Sequence, residues 1–268
     1  MSVQVNTATA EPVTEIFEDQ QQLADSVAAK LLTVIKQTVD EEGAAHISLT
    51  GGGPGIAVLR SVAALLRTGH AEEPAWAAVH FWWGDERLLP EDDPDRNEKQ
   101  ARDALLDLLV DDFGLPPENI HPVATSEEAA TPEAGAEMYA QQLQAYSPTG
   151  GISGLHLPQF AVMLLGVGPD GHINSLFPGK QTLQASGRTT VGEEDAPSEL
   201  GPPLRVTLTF DAVHTARRVW LVTAGESKTE AVTRAFAEDT PVEDIPARNA
   251  RGAHQTVWHL DRAAAAGL

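Results

Sequence analysis

The chain has 268 residues, with 39 acidic against 18 basic side chains and a formal net charge of −21. A surface of that sign repels nucleic acids and anionic membranes, so neither is expected as a partner. The absence of cysteine excludes disulfides, thiolate catalysis and cysteine-ligated metals, and it fits a reducing compartment.

Apolar spacing predicts the elements in chain order. The first 15 residues have neither a basic segment nor an apolar run, so they do not resemble a secretory signal, and residues 1–14 are expected to be a flexible tail. Periodic patterns then alternate with short apolar runs. Helices are predicted at residues 18–39, 56–66, 97–109, 127–146 and 227–237, and strands at residues 45–49, 77–83, 160–165, 205–210, 218–223 and 256–260, with a long loop at residues 178–203.

This alternation predicts the fold class. Several strands are continuous apolar runs, which is typical of a mostly parallel sheet covered by helices on both faces. We therefore expect one α/β domain over residues 1–268, in the cytoplasm, as a monomer or weak homo-oligomer. The longest apolar stretch, residues 160–168, is far shorter than the roughly 20 residues that cross a bilayer. Ligands of such sheets bind beyond the carboxyl ends of the strands, where three of the predicted strands lead into glycine-rich or charged turns.

The first of these turns, TGGGPG at residues 50–55, opens directly onto a helix. Gly51, Gly52 and Gly53 expose backbone amides without side chains in the way, and the helix dipole also favours an anion there. The sequence matches neither common nucleotide-binding glycine motif. A phosphate site and a simple tight turn both remain open on these residues alone.

The second turn, GDER, places Asp85, Glu86 and Arg87 at a strand end where core packing does not require charge. Arginine is suited to bidentate contacts with phosphate or carboxylate groups. The alternative is a local ion pair at a solvated turn, which is common on protein surfaces.

The third turn, GVGPDGH, ends in Asp170 and His172. An unperturbed histidine titrates near pH 6.5, so His172 can accept or release a proton at neutral pH, and Asp170 could orient it or bind substrate hydroxyls. The competing interpretation is an aspartate that caps a helix beside an incidental histidine. Lys228 follows another strand end and Arg205 begins a strand; either could also be an ordinary surface charge.

Other catalytic motifs are missing from the sequence. It contains no GxSxG nucleophile elbow and no HExxH zinc helix. His254 and His259 lie five residues apart on a predicted strand, so they face opposite sides and cannot share a metal. Trp82 and Trp83 are adjacent and are expected in the core.

Taken together, SLTGGGPGIAVL, FWWGDERLLPEDDPDRNEKQARDALL, LLGVGPDGHINSLFPG and VTLTFDAVHTARRVWLVTAGESKTEAV resemble the 6-phosphogluconolactonase family over about residues 15–262. The resemblance implies a modified Rossmann-like three-layer α/β fold, shared with glucosamine-6-phosphate deaminase and ribose-5-phosphate isomerase. It also implies hydrolysis of 6-phospho-D-glucono-1,5-lactone, a phosphorylated sugar lactone, in the oxidative pentose phosphate pathway. No metal and no organic cofactor are implied.

The resemblance also implies roles for single residues. His172 corresponds to the general base, with Asp170 beside it; the DER turn corresponds to Asp85, Glu86 and Arg87, and a downstream asparagine to Asn97. Similarity to the related deaminases implies that Arg205 and Lys228 hold phosphate, with more weight on Lys228. The segment before Asn97 departs from the usual family pattern at Arg96, whose role stays open.

Two other functions are alternatives to lactone hydrolysis. The related amino-sugar phosphate deaminases carry an acidic residue five places after the histidine, where this chain has Phe177, and a tyrosine where it has Arg87. Both differences favour the lactonase. A sugar-phosphate sensor fused to a DNA-binding module is the second alternative, but no segment is left for such a module and the charge opposes DNA binding.

Overall fold

Helices and strands alternate along the computed structural model, which describes residues 11–69 and 72–268. The strands are β1 (Val13–Phe17), β2 (Ala45–Leu49), β3 (Val79–Trp83), β4 (Asp85–Arg87), β5 (Phe160–Leu165), β6 (Thr190–Glu193), β7 (Arg205–Leu208), β8 (Arg218–Thr223) and β9 (Gln255–Asp261). The helices are α1 (Gln20–Glu42), α2 (Gly52–Thr68), α3 (Asn97–Ala101), α4 (Asp107–Asp112), α5 (Pro132–Ala145), α6 (Phe210–Thr215) and α7 (Thr229–Phe236). A π-helical turn (Arg102–Leu106) joins α3 to α4. Among the described residues, no helix has the length and apolar character needed to cross a membrane.

The main sheet has six parallel strands in the order β1-β9-β8-β5-β2-β3. After β2 the chain moves outward to β3, and it then returns to place β5 on the other side of β2. This reversal between β2 and β5 opens a crevice at their carboxyl ends, the usual ligand position in such sheets. The predicted α/β fold with a mostly parallel sheet and helices on both sides is confirmed.

Burial explains why these segments form their elements. All six residues of β5 are buried, as expected for a central parallel strand. In α1, Leu23, Val27 and Leu31 repeat every four residues and are at most 1% exposed, so one face of the helix packs into the core. Trp82 and Trp83 are also buried, which confirms their predicted place in the core.

A second, antiparallel sheet has the order β4-β7-β6. In it, Asp85 lies opposite Thr207 and Arg87 opposite Arg205, so a strand that immediately follows β3 carries charged side chains beside the crevice. The DER segment, predicted as a turn, is therefore a short strand. The predicted loop at residues 178–203 contains β6, which pairs with β7.

Other element boundaries also differ from the predictions, most of them by one to three residues, and the larger differences have physical causes. Helix α2 begins within the glycine turn, at Gly52, rather than at residue 56. Helix α5 begins at Pro132 rather than at residue 127, with Thr131 accepting a hydrogen bond from the amide of Ala134. The strand predicted at residues 205–210 ends at Leu208 because the next segment forms α6. Val13 and Thr14, predicted to lie in the tail, pair with β9 in β1; residues 1–10 of that tail lie outside the described part.

Three histidines form a cluster on one face of β2 and β3. His46 stacks on His80 with ring centroids 4.6 Å apart, and His121 stacks on Trp82 at 3.9 Å. His80 Nδ1 lies 3.0 Å from His121 Nε2, and Trp82 Nε1 donates to His46 Nδ1 at 3.1 Å. Burial and the neighbouring histidines lower the pKa of His46 to about 3 and that of His121 to about 4. We call His46, His80 and His121 the histidine cluster.

Candidate active site

A cavity of 280 Å³ opens at the carboxyl ends of β2 and β5. The candidate residues predicted from the sequence lie at several strand ends, and the fold brings nearly all of them into the wall of this cavity. The candidates that line the cavity are Gly51, Gly52, Gly53, Asp85, Arg87, Asn97, His172, Arg205 and Lys228. Asp170 stands behind the wall, in contact with His172.

The glycine turn forms the start of α2 beside this cavity. Gly51 is the N-cap residue and no side chain caps the helix, so amides of the first turn lack an intrahelical partner. A Cβ atom on Gly51 would lie 1.9 Å from Asn97 Oδ1, and Gly52 has a φ of 79°, so both positions favour glycine. A Cβ atom on Gly53 would have no heavy atom within 4 Å, so the space beside this residue is open. These are the features of an anion site at a helix N-terminus, although a phosphate at Gly51–Gly53 stays a prediction.

His172 and Asp170 form a hydrogen-bonded pair. Asp170 Oδ1 lies 2.6 Å from His172 Nδ1 and also accepts from the His172 amide at 3.2 Å. Burial alone raises the pKa of Asp170, but the hydrogen bond and charge of His172 outweigh it and hold this pKa below its usual value. An ionised Asp170 accepts the Nδ1 proton, which leaves Nε2 as the free lone pair of the imidazole.

The backbone around the pair is shaped to hold it. A Cβ atom on Gly168 would lie 2.0 Å from His172 Nδ1, so only glycine permits this close approach. The ring of Phe177 covers the imidazole with centroids 4.5 Å apart. Residues 169–171 form a turn and no helix begins there, so the alternative of a helix-capping aspartate is wrong. Asp170 instead fixes the orientation of the histidine.

Asp85 is enclosed by polar partners rather than free to move a proton. Its Oδ2 accepts from Ser175 Oγ at 2.6 Å and lies 3.9 Å from a guanidinium nitrogen of Arg205. Asn97 Nδ2 donates to the Asp85 carbonyl at 2.9 Å. Asp85 therefore ties β4 to the turn that follows His172, and this geometry favours an anchoring role over acid–base chemistry.

The two arginines of the wall differ in how many of their donors are occupied. Arg205 is 3% exposed and donates to the carbonyls of Pro202 at 2.6 Å and Leu200 at 2.8 Å, so it is not a surface charge. Its guanidinium also stacks over Phe177, 5.8 Å from the ring centroid. Arg87 donates to the carbonyl of Asp95, while its buried Nε has no partner among the described residues. Arg87 thus lines the cavity with a guanidinium that has fewer partners than that of Arg205.

Lys228 supplies the remaining cation of the wall. It immediately precedes α7, and it is half-buried rather than freely exposed. Burial lowers the pKa of its ammonium group, an effect that the negative charge of Asp170 partly offsets. A desolvated cation in a cavity interacts more strongly with an anion than a surface lysine does.

Glu86 and Arg96 face away from the cavity and support its frame. The carboxylate of Glu86 accepts from the amides of Asn97 and Glu98, each at 2.8 Å, and so caps α3. Burial raises the pKa of Glu86 to about 7 although Arg96 and these amides oppose the shift. Arg96 is fully buried, pairs with Glu98 at 3.3 Å and donates to the carbonyl of Val123 at 2.8 Å. The role of Arg96 that the sequence left open is therefore structural.

Sequence reasoning missed Asn174, which also lines the cavity. It has a φ of 50°, is 6% exposed, and neither atom of its carboxamide has a hydrogen-bond partner among the described residues. Its only sequence signal is its place two residues after His172, and asparagine in a turn is too common to be noticed.

Comparisons with known proteins identify the family to which the chain is similar. Residues 18–258 match the family model described as glucosamine-6-phosphate isomerases/6-phosphogluconolactonase. The 6-phosphogluconolactonase of Mycobacterium tuberculosis is 42% identical over 256 residues, covering 95% of this chain and 97% of its own. That of Streptomyces coelicolor is 40% identical over 261 residues, covering 96% and 95%.

Solved structures show the same fold. The 6-phosphogluconolactonase from Trypanosoma cruzi superposes with a TM-score of 0.80 at 26% identity, covering 97% of this chain and 98% of that one. A monomeric glucosamine-6-phosphate deaminase superposes with a TM-score of 0.72 at 22% identity, covering 96% and 100%. At that identity the deaminase supports the fold alone, so the chemistry has to be argued from the cavity itself.

Proposed function

The chain belongs to the glucosamine-6-phosphate isomerase/6-phosphogluconolactonase family, and we propose that it hydrolyses 6-phospho-D-glucono-1,5-lactone to 6-phospho-D-gluconate. This is the second step of the oxidative pentose phosphate pathway. The observation that carries the proposal is the His172–Asp170 pair in a cavity whose wall also holds a helix N-terminus and three cations. Its wall therefore offers both a base for water and a site for a phosphate.

The base activates water for attack on the lactone. Nε2 of His172 takes a proton from a water molecule as the oxygen of that water bonds to the lactone carbonyl carbon. The carbonyl π electrons move to oxygen, and in this proposal the positive charge of Arg87, which lines the cavity, stabilises that oxyanion. When the carbonyl re-forms, the ring C–O bond breaks, and the imidazolium returns its proton to the departing ring oxygen. Asp170 keeps its charge throughout and steadies the imidazolium.

In this proposal the phosphate binds to the part of the wall that holds the glycine turn and Lys228. The amides of Gly51–Gly53 and the ammonium of Lys228 are its ligands in this proposal, with Arg205 as a further cation of the wall. Because the protein carries a net charge of −21, these cations must counteract a repulsive field before an anionic substrate can bind. Their concentration in one wall supports a phosphorylated substrate.

The environment of His172 disfavours deamination of an amino-sugar phosphate. The position where the related deaminases carry an acid is Phe177, which is fully buried and packs on the histidine ring. A phenyl ring cannot transfer a proton to a leaving amine. In place of the deaminase tyrosine, Arg87 adds positive charge where an oxyanion develops.

The test is a coupled assay with freshly generated lactone, corrected for spontaneous hydrolysis. We expect catalysis well above background, and no release of ammonia from glucosamine 6-phosphate. A rate equal to background would refute the proposal. We further propose a cytoplasmic enzyme without metal or organic cofactor, as the family resemblance implies; a chelator should then leave the rate unchanged.

A further inference from the structure

Asn174 is a buried polar residue of the cavity wall whose side chain the fold leaves unpaired. Both its Oδ1 and its Nδ2 lack a hydrogen-bond partner among the described residues, and the residue is 6% exposed. A buried amide without partners costs free energy, so each such group in a native protein calls for an explanation, and a role in ligand binding is one.

The turn does not need this carboxamide to keep its shape. The next residue, Ser175, fixes the turn through its amide, which donates to Thr207 Oγ1 at 3.2 Å, and through its hydroxyl, which donates to Asp85 at 2.6 Å. Gly84 also makes room for the side chain, because a Cβ atom there would lie 2.2 Å from Asn174 Oδ1. The fold therefore accommodates a carboxamide that it does not use.

We propose that Asn174 determines substrate specificity by exchanging hydrogen bonds with the C2 hydroxyl of the lactone. This inference rests on the proposed function. A carboxamide offers one donor group and one acceptor, which matches the acceptor and donor of a hydroxyl. His172 acts at C1 in the proposed reaction, and Asn174 lines the same cavity two residues further along the turn, so we assign it to the hydroxyl on the neighbouring carbon.

The competing explanation is that asparagine is present only because it tolerates the left-handed backbone. Asn174 has a φ of 50°, which asparagine and glycine adopt more easily than other residues. Asn174→Gly separates the two explanations, since glycine keeps this backbone conformation without strain and removes only the carboxamide.

The experiment measures kcat/KM of wild type and Asn174→Gly on three lactones. They are the unmodified substrate, its 2-deoxy analogue made by oxidising 2-deoxyglucose 6-phosphate, and the C4 epimer made from galactose 6-phosphate. We expect Asn174→Gly to lose about 10- to 100-fold on the unmodified lactone and on the C4 epimer, the usual range for a buried hydrogen bond lost from a site. On the 2-deoxy analogue the loss should be less than about 3-fold, because the partner hydroxyl is already gone.

Each other outcome contradicts the inference. Equal losses of kcat/KM on all three lactones would indicate a structural role for Asn174. No loss on any lactone would indicate that only its backbone conformation matters. A loss that disappears only on the C4 epimer would show that the partner is the C4 hydroxyl rather than the C2 hydroxyl. If wild type fails to hydrolyse the unmodified lactone, the proposed function fails and this inference fails with it. If wild type is active and Asn174→Gly is unchanged, only the inference fails.

A second variant moves the carboxamide without altering Asn174 itself. Gly84→Ala places a methyl group where Asn174 Oδ1 now lies, so the flexible end of that side chain must shift. The same substrate pattern as Asn174→Gly is expected, with cooperative thermal melting in both variants. Normal activity of Gly84→Ala on the unmodified lactone would contradict a positional requirement for the carboxamide.

Discussion

Two groups of buried polar residues differ in whether the protein itself supplies their hydrogen-bond partners. In the histidine cluster, ring nitrogens pair with one another and with Trp82, so its partners come from within the protein. In the cavity wall, Asn97 Oδ1, the Asn174 carboxamide and Arg87 Nε have no partner among the described residues. The cluster supplies its own hydrogen-bond partners, whereas the unpaired groups of the cavity wall cost stability, a cost that a bound ligand would offset.

Among substitutions in the cavity wall, replacement of His172 is expected to reduce catalysis the most. We expect His172→Ala to lower kcat by about 10²- to 10⁴-fold, the usual contribution of a positioned acid–base residue, with little change in substrate affinity. Steady-state kinetics on the purified, folded variant check this. His156→Ala, an exposed histidine, is the matched control and should retain full turnover. Near-normal turnover of folded His172→Ala would mean that the base lies elsewhere.

Asp170 tests whether the cavity needs an oriented imidazole. Asp170→Asn removes the charge that accepts the Nδ1 proton, so the ring can adopt the wrong tautomer. We expect kcat to fall by about 10- to 10³-fold with the fold intact, a smaller loss than for His172→Ala. Activity equal to wild type would show that the 2.6 Å contact does not orient the base.

Lys228 tests the anion site of the cavity. Lys228→Ala should raise KM by about 10- to 100-fold and change kcat little, because a phosphate contact remote from the carbonyl contributes equally to ground and transition states. Lys36→Ala, which removes a lysine paired with Asp40 on α1, is the control with an unchanged KM. A fall in kcat at constant KM would place Lys228 at the reacting carbonyl instead.

The histidine cluster is expected to make the stability of the protein depend on pH. Because the pKa values of His46 and His121 in the folded protein lie below the roughly 6.5 of an unfolded histidine, the unfolded chain binds more protons between about pH 4 and 6.5. The contribution of the cluster to stability is therefore complete above this window and declines as pH falls through it. Urea melts at pH 7 and 5 should show this decline.

A variant assigns that loss of stability to the cluster. His121→Phe keeps a ring against Trp82 but cannot be protonated, so it should lose about 1 kcal/mol less than wild type between the two pH values. His254→Phe, at an exposed position, should follow wild type. Equal pH dependence in wild type and His121→Phe would remove the cluster from the explanation.

The local pattern of apolar residues was enough to predict the central strands of the main sheet. The strands predicted at residues 160–165 and 218–223 match β5 and β8 at both ends, because strands buried on both faces are continuous apolar runs. Strand β1 was missed because it is an edge strand with exposed Val13 and Ile16, and its partner β9 lies at the other end of the chain. Strand β6 was missed because its pairing with β7 is a tertiary event in a glycine-rich segment.

The candidate site shows the same division. Glycine turns and charged residues at strand ends indicated most of the cavity wall, because parallel strands gather their carboxyl ends at one edge. Their roles remain predictions until the variants are measured. Nothing local distinguishes Asn174 from any other turn asparagine, since its burial and its missing partners arise only when β4, β7 and its own turn come together. Arg96 was equally ambiguous, because only tertiary contacts show that it is enclosed.

Strand β4 constrains how this protein can change over generations. Successive side chains of a strand point to opposite sides, so Asp85 and Arg87 reach the cavity while Glu86 turns inward to cap α3. A point substitution at Arg87 alters the cavity and the contact with Asp95 but leaves the cap of α3 in place. A single-residue insertion or deletion in β4 would instead exchange the two sides, placing a capping carboxylate in the cavity and a cavity side chain in the core. We expect homologous lactonases to vary here by substitution and to tolerate length changes only in the connection after Arg87.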